Sequence, residues 1–125
     1  QVRKPRRAQA LRVLLAESEA RHRTTTATML ADLGHDVLEA GTAAEALARL
    51  LHGVDLVVCD RGLPDMDGLA LLDQIRKRLP GVPAVVATGS AGGEAEGVVW
   101  LSKPFDETSL RAAVLHAAAA RASAA

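Results

Sequence analysis

DLVVCDRGLPDMDG, running from Asp55 to Gly68, holds a strand, an acidic strand end and a helix start within fourteen residues. DLVVC is short, apolar and β-branched, which is the pattern of a strand buried on both faces. Asp60 then ends the apolar run, and Gly62, Pro64, Asp65, Asp67 and Gly68 supply turn chemistry. Asp65 and Asp67 read as turn and helix-cap residues, and Gly68 as the start of a helix. Over residues 69–79, Leu72, Ile75 and Leu79 recur at helical spacing and predict one inward face. Cys59 reads as a small buried hydrophobe.

Working outward, the same alternation repeats. Residues 11–16 predict a buried strand, and residues 20–33 a helix with Ala27, Leu30 and Leu33 on one face. Gly34 stands where a helix C-terminus is expected. Residues 37–40 predict a second strand. Thr42-Ala43-Ala44-Glu45 is a capping box that opens a helix through Leu47, Leu50 and Leu51, ending near Gly53. Pro80, Gly81 and Pro83 stop the next helix, residues 84–87 predict a fourth strand, and residues 98–101 a fifth. Asp106 caps a last helix carrying Leu110, Val114 and Leu115. Five strands alternating with helices imply an α/β domain with a parallel sheet covered on both faces.

Composition agrees with one such domain. The chain has 125 residues, 49% of them hydrophobic, but only 2% aromatic, so Leu, Val and Ala must fill the core. No apolar run approaches a membrane span, and no leader-like segment is visible, so no membrane contact is expected of this domain. A net charge of zero gives no global reason to expect nucleic acid as a partner. One cysteine excludes an internal disulfide and fits a reducing, cytoplasmic setting. Residues 1–10 begin with Gln1 rather than Met and hold Arg3, Lys4, Arg6 and Arg7, reading as a basic linker from a longer protein. Residues 11–121 read as the domain itself, and residues 122–125 as a frayed end. His22, His35, His52 and His116 are scattered without metal spacing and read as surface residues.

In sheets of this kind, ligands bind beyond the carboxyl ends of the strands. Glu17, Ser18 and Glu19 follow the first strand, Asp60, Arg61 and Gly62 the third, Thr88 and Gly89 the fourth, and Lys103 and Pro104 the fifth. A rim of carboxylates, a hydroxyl and an ammonium suits phosphoryl transfer to a carboxylate. Asp60 would be the nucleophile, Lys103 would neutralise phosphoryl oxygens, and the Thr88 hydroxyl would bond one of them. A hard cation such as Mg²⁺ would be held by carboxylates and a backbone carbonyl.

DLVVCDRGLPDMDG, PAVVATGS and WLSKPF, in this order, resemble the receiver domain of two-component response regulators, and the resemblance spans about residues 11–121. It implies a flavodoxin-like, doubly wound five-stranded sheet in the order 2-1-3-4-5. It also implies that Asp60 accepts a phosphoryl group from a phosphohistidine on a histidine kinase or histidine phosphotransfer protein. Glu17, Asp60 and the carbonyl of Gly62 would be the Mg²⁺ ligands, with Thr88 and Lys103 holding the phosphoryl group. Trp100 stands where the family has a Tyr or Phe that changes rotamer as Thr88 moves, and the Lys103-Pro104 bond would be cis. Such a domain is not a stand-alone enzyme.

Two departures from that pattern stand out. Ser18 occupies a position where the family has a second acid, which predicts weakened Mg²⁺ affinity, with Glu19 one residue away. Between Thr88 and Val98 lie nine residues, four of them Gly (Gly89, Gly92, Gly93 and Gly97). At about 1 kcal/mol per Gly in a helix interior, the fourth helix is expected to be shortened or absent. Shortening there resembles receivers attached to histidine kinases and points to the receiver of a hybrid histidine kinase, whose parent could be membrane-anchored. An alternative is a pseudo-receiver, a protein-interaction module that Ser18 has deprived of phosphate chemistry. A flavin- or nucleotide-binding domain is disfavoured, since ESEARHR after the first strand is no Gly-rich phosphate loop.

Overall fold

The computed structural model of the protein describes residues 10–90, 92–93 and 95–124, the last four for the backbone only. Except for Ala10, the basic segment 1–10 lies outside the described residues, as does Ala125. The chain runs β1 (Arg12–Ala16), α1 (Ala20–Asp32), β2 (Asp36–Ala40), α2 (Ala43–Arg49), a 3-10 turn (Leu50–His52), β3 (Leu56–Asp60), α3 (Gly68–Arg78), β4 (Ala84–Thr88), β5 (Val98–Ser102) and α4 (Glu107–Ala124). All strand pairs are parallel, in the order β2-β1-β3-β4-β5, the flavodoxin-like arrangement. Among the described residues no helix lies between β4 and β5, so the glycine-rich segment does remove the fourth crossover helix.

Strand alternation divides the core into two layers. Leu14, Ala16, Val57, Cys59, Ala84 and Val86 point to one face, where Ala43 and Ala46 of α2 and Leu71, Leu72 and Ile75 of α3 cover them. Val13, Leu15, Leu56, Val58, Val85 and Leu101 point to the other, under Ala27 and Leu30 of α1 and Leu110, Ala113, Val114 and Ala117 of α4. Each Leu, Ile or Val fully buried here contributes about 1.5–3 kcal/mol of transfer free energy. Small residues on α2 and α4 let those helices lie close to the sheet in a core with almost no aromatics.

The helix ends follow from local chemistry. At φ 97°, Gly34 takes the left-handed turn that ends α1, and His35 N–H closes on Leu30 O at 3.1 Å. Thr42 Oγ1 accepts from Glu45 N–H at 3.1 Å, and Glu45 returns its carboxylate to Gly41 N–H at 2.6 Å, one residue ahead of the expected partner. After Arg49 the helix tightens into the 3-10 turn, which changes its register. Leu50 is therefore buried while Leu51 is 89% exposed, although both fit the apolar stripe in sequence. Leu115 likewise lies toward solvent, and Ala113 and Ala117 take the inward positions of α4.

His35 departs from its surface reading. It is only 8% exposed, and its Nδ1 accepts the Leu11 N–H at 3.1 Å. The turn that ends α1 folds this side chain under the start of β1, a contact across 24 residues that no local pattern announces.

Candidate functional site

Parallel pairing aligns the carboxyl ends of β1, β3, β4 and β5, and the loops that follow them form one rim. Asp60 ends β3 in register with Ala87, and Thr88 ends β4 in register with Ser102. Lys103 follows directly, its N–H donating to Thr88 O at 2.9 Å. Glu17 follows β1, its N–H bonded to Ala40 O of β2 at 2.9 Å. The rim lies over the point where the chain reverses its winding direction between β1 and β3.

Lys103 joins the two carboxylates. Its Nζ is 2.8 Å from Asp60 Oδ2 and 3.4 Å from Glu17 Oε1. Glu17 is 6% exposed, a burial that demands compensation for a charged group. Besides Lys103, its Oε2 accepts the Glu19 N–H at 3.0 Å. Asp60 Oδ1 accepts the Gly62 N–H at 3.1 Å. Burial lowers the Lys103 pKa, but hydrogen bonds and charge from Asp60, then Glu17, outweigh it and hold the ammonium above its usual value. Next to Asp60, burial chiefly pushes the Cys59 thiol up to about 12, with Asp60 and Asp67 adding to it.

The loop from Arg61 to Asp67 is shaped by backbone pairing. Gly62 and Asp67 form an antiparallel bridge, and Gly68 N–H donates to Arg61 O at 2.7 Å. Asp67 caps α3 through Leu69 N–H at 2.8 Å and lies 3.6 Å from Arg61 Nε. Gly68 has no substitute: a Cβ there would sit 2.4 Å from Asp60 O. Absence of that carbon lets α3 start directly against the end of β3.

Thr88 is buried, and its Oγ1 lies 3.1 Å from Ser90 Oγ and accepts the Ser90 N–H at 3.2 Å. Ser90 is a rim residue that sequence reasoning passed over; its signal was the Thr-x-Ser spacing of a side-chain turn. Trp100 is half-buried against the α2/α3 layer. The Arg61 guanidinium lies 5.6 Å from its ring centroid, and Gly92 packs so close that a Cβ would be 2.8 Å from Trp100 Cγ. Lys103–Pro104 is a cis peptide bond.

Ser18 is exposed. Glu19 accepts the Arg21 N–H at 3.1 Å and caps α1. Its carboxylate thus serves a helix end, and Glu17 and Asp60 are the acidic side chains that meet at Lys103. Among the described residues no three His, Cys, Asp or Glu side chains cluster as a metal site. Two carboxylates gathered at one ammonium still suit a hard cation that keeps several waters, as Mg²⁺ does.

Residues 13–115 match the family described as the response regulator receiver domain. The receiver domain from the hybrid histidine kinase CckA is similar, with TM-score 0.76 and 32% identity over 86% of this chain and 98% of that one. A CheY-like receiver domain protein from Methanospirillum hungatei JF-1 superposes with TM-score 0.82 at 26% identity, over 93% of this chain and 99% of that one. Among curated proteins, the virulence transcriptional regulatory protein PhoP of Salmonella typhimurium (strain 14028s / SGSC 2262) is 35% identical over 103 residues, 76% of this chain and 46% of PhoP. The transcriptional regulatory protein ZraR of Escherichia coli (strain K12) is 29% identical over 108 residues, 80% of this chain. The matched part spans only 24% of ZraR.

Proposed function

Since this chain belongs to the response regulator receiver domain family, we propose that Asp60 accepts a phosphoryl group from the phosphohistidine of a histidine kinase or histidine phosphotransfer protein. The observation that carries this reading is the Lys103 ammonium held between Asp60 and Glu17 at the strand ends. In the step, an Asp60 carboxylate oxygen bonds to phosphorus as the P–N bond breaks. The imidazole leaves with the bonding pair, and an acyl phosphate remains on Asp60. Lys103 turns from the carboxylate pair toward the phosphoryl oxygens, and Thr88 exchanges its bond with Ser90 for one to the phosphoryl group. Trp100, seated against Gly92, would move with Thr88. Mg²⁺, held by Glu17, Asp60 and the Gly62 carbonyl, would supply the remaining charge neutralisation. Such positioning and neutralisation are most of what phosphoryl transfer needs.

The partner is a phosphorylated protein rather than a nucleic acid, and no described helix is long and apolar enough to cross a membrane. Likeness to the CckA receiver and the missing crossover helix favour a place in a hybrid histidine kinase, and the single cysteine fits a cytoplasmic setting. One observation favours a second reading, the pseudo-receiver: Ser18 brings no carboxylate, and Glu19 is engaged as a helix cap.

Amide NMR with beryllofluoride, a phosphoryl mimic, separates the two. Mg²⁺-dependent shifts around Asp60, Thr88 and Lys103 that vanish in Asp60→Asn support the acceptor. No shifts at millimolar Mg²⁺ in the wild type would leave the interaction module as the better reading.

A further inference from the structure

The loop between Asp60 and Gly68 is closed at its base by its own backbone, but its apex is held by another element. Asp65 lies exposed at the tip and crosses to α2. Its Oδ1 accepts the Ala43 N–H at 2.8 Å and its Oδ2 the Ala44 N–H at 3.0 Å. Both are N-terminal helix donors with no partner inside their own helix. Glu45 N–H, the next such donor, is met by Thr42 within α2. The helix start is thus capped twice, once by its own residue and once from the loop beyond β3. The two N–H bonds, Ala43 foremost, hold the Asp65 carboxylate below its usual range.

We propose that Asp65 is a positioning residue of the acceptor site: by clamping the loop apex to α2, it fixes the segment that carries Gly62 and couples occupancy of the site to the start of α2. This rests on the acceptor reading above. Gly62 has two duties there, an N–H on Asp60 Oδ1 and a carbonyl assigned to the cation, and both need its backbone in one place. The Gly62–Asp67 bridge leaves Leu63 to Met66 as an arch outside the paired backbone. Leu63 is buried on one side of the arch, and Asp65 anchors the other. Asp65 touches neither Asp60 nor Lys103, so its removal deletes no ligand. It frees the arch, and the site must then order it on binding, which weakens binding.

The test is a beryllofluoride and Mg²⁺ titration, followed by amide NMR, of the wild type, Asp65→Ala, Asp65→Asn and Thr42→Ala. Thr42→Ala removes the other cap of the same helix and leaves the crossing intact. Asp65→Ala is expected to bind roughly threefold to tenfold more weakly, Asp65→Asn to lie between, and Thr42→Ala to bind as the wild type does. Binding is also expected to shift the Ala43 and Ala44 amides in the wild type and not in Asp65→Ala. Equal binding by Asp65→Ala and the wild type overturns the proposal while leaving the acceptor reading in place. Equal weakening by Asp65→Ala and Thr42→Ala overturns it too, because helix stability alone would then account for the loss. No binding by the wild type removes the acceptor reading, and this proposal with it.

Discussion

Lys103 Nζ lies 2.8 Å from Asp60 Oδ2, an ion pair between residues 43 positions apart in sequence that joins the ends of β3 and β5. The same ammonium is 3.4 Å from Glu17, so one cation serves two carboxylates. Lys103→Ala leaves each carboxylate with a backbone N–H but no cation, and removes the charge intended for the phosphoryl oxygens. Phosphoryl transfer from a phosphohistidine donor should slow by roughly 10²–10³-fold, the usual cost of losing one preorganised charge-stabilising donor. The phosphorylated fraction, followed in time by intact-mass spectrometry, checks this. A rate within a factor of a few of the wild type would remove Lys103 from the mechanism.

Ser18 is exposed beside Glu17, at the point where a carboxylate would add negative charge to the rim. Ser18→Asp should tighten Mg²⁺ binding by roughly tenfold or more, since a carboxylate about 4 Å from a dication gains about 2 kcal/mol even at the dielectric constant of water. Trp100 is the sole Trp, and the chain has no Tyr, so its fluorescence offers a clean titration signal. An unchanged midpoint would show that this position does not face the cation.

Arg76 ties α3 to the segment that joins β4 and β5 without a helix. Its guanidinium donates to Val82 O twice, at 3.2 and 3.0 Å, to Glu96 O at 2.7 Å and to Gly97 O at 3.0 Å. The C-terminal end of α3 is thereby fastened to the start of β5. Arg76→Ala should destabilise the domain by about 2–3 kcal/mol, because the part-buried Val82 carbonyl loses a charged donor while the exposed ones regain water. Hydrogen exchange should quicken first in β5 and leave β1 and β3 protected. Arg76→Lys should not restore protection, because a point ammonium cannot span three carbonyls. Uniform loosening of all five strands would contradict this account.

His35 accepts the Leu11 N–H through Nδ1, so it folds neutral. Burial lowers its pKa from 6.5, with Asp36 opposing. The unfolded chain therefore takes up a proton first as pH falls. The His35 contribution to stability is fully present above pH 6.5 and declines as pH drops through the lowered folded value. One proton gives a slope of at most about 1.4 kcal/mol per pH unit. Urea melts between pH 7.5 and 5 should show this decline in the wild type relative to His35→Gln, whose amide oxygen can still accept from Leu11. Parallel pH profiles for the two proteins would disprove it.

Strand and helix alternation, a parallel sheet covered on both faces and the rim positions of Glu17, Asp60, Thr88 and Lys103 were legible in the chain itself, although Leu51 and Leu115 turned outward. Buried parallel strands read as apolar runs, and the residue ending each run must lie at the carboxyl edge of the sheet. Four glycines within nine residues likewise disfavour a helix after β4, and none forms among the described residues. What the tertiary structure alone decided are the pairings between those runs. Burial of His35 beneath Leu11, the crossing of Asp65 to Ala43, the seat of Arg61 on Trp100 and the grip of Arg76 on Glu96 and Gly97 each join residues about 20 to 40 positions apart. Even Glu19, one residue from the expected acidic position, went to the start of α1 instead of the rim. Periodicity records which way a side chain faces along its own element. Which partner it meets depends on how the elements are set against each other, and that is fixed only when both layers of the core close.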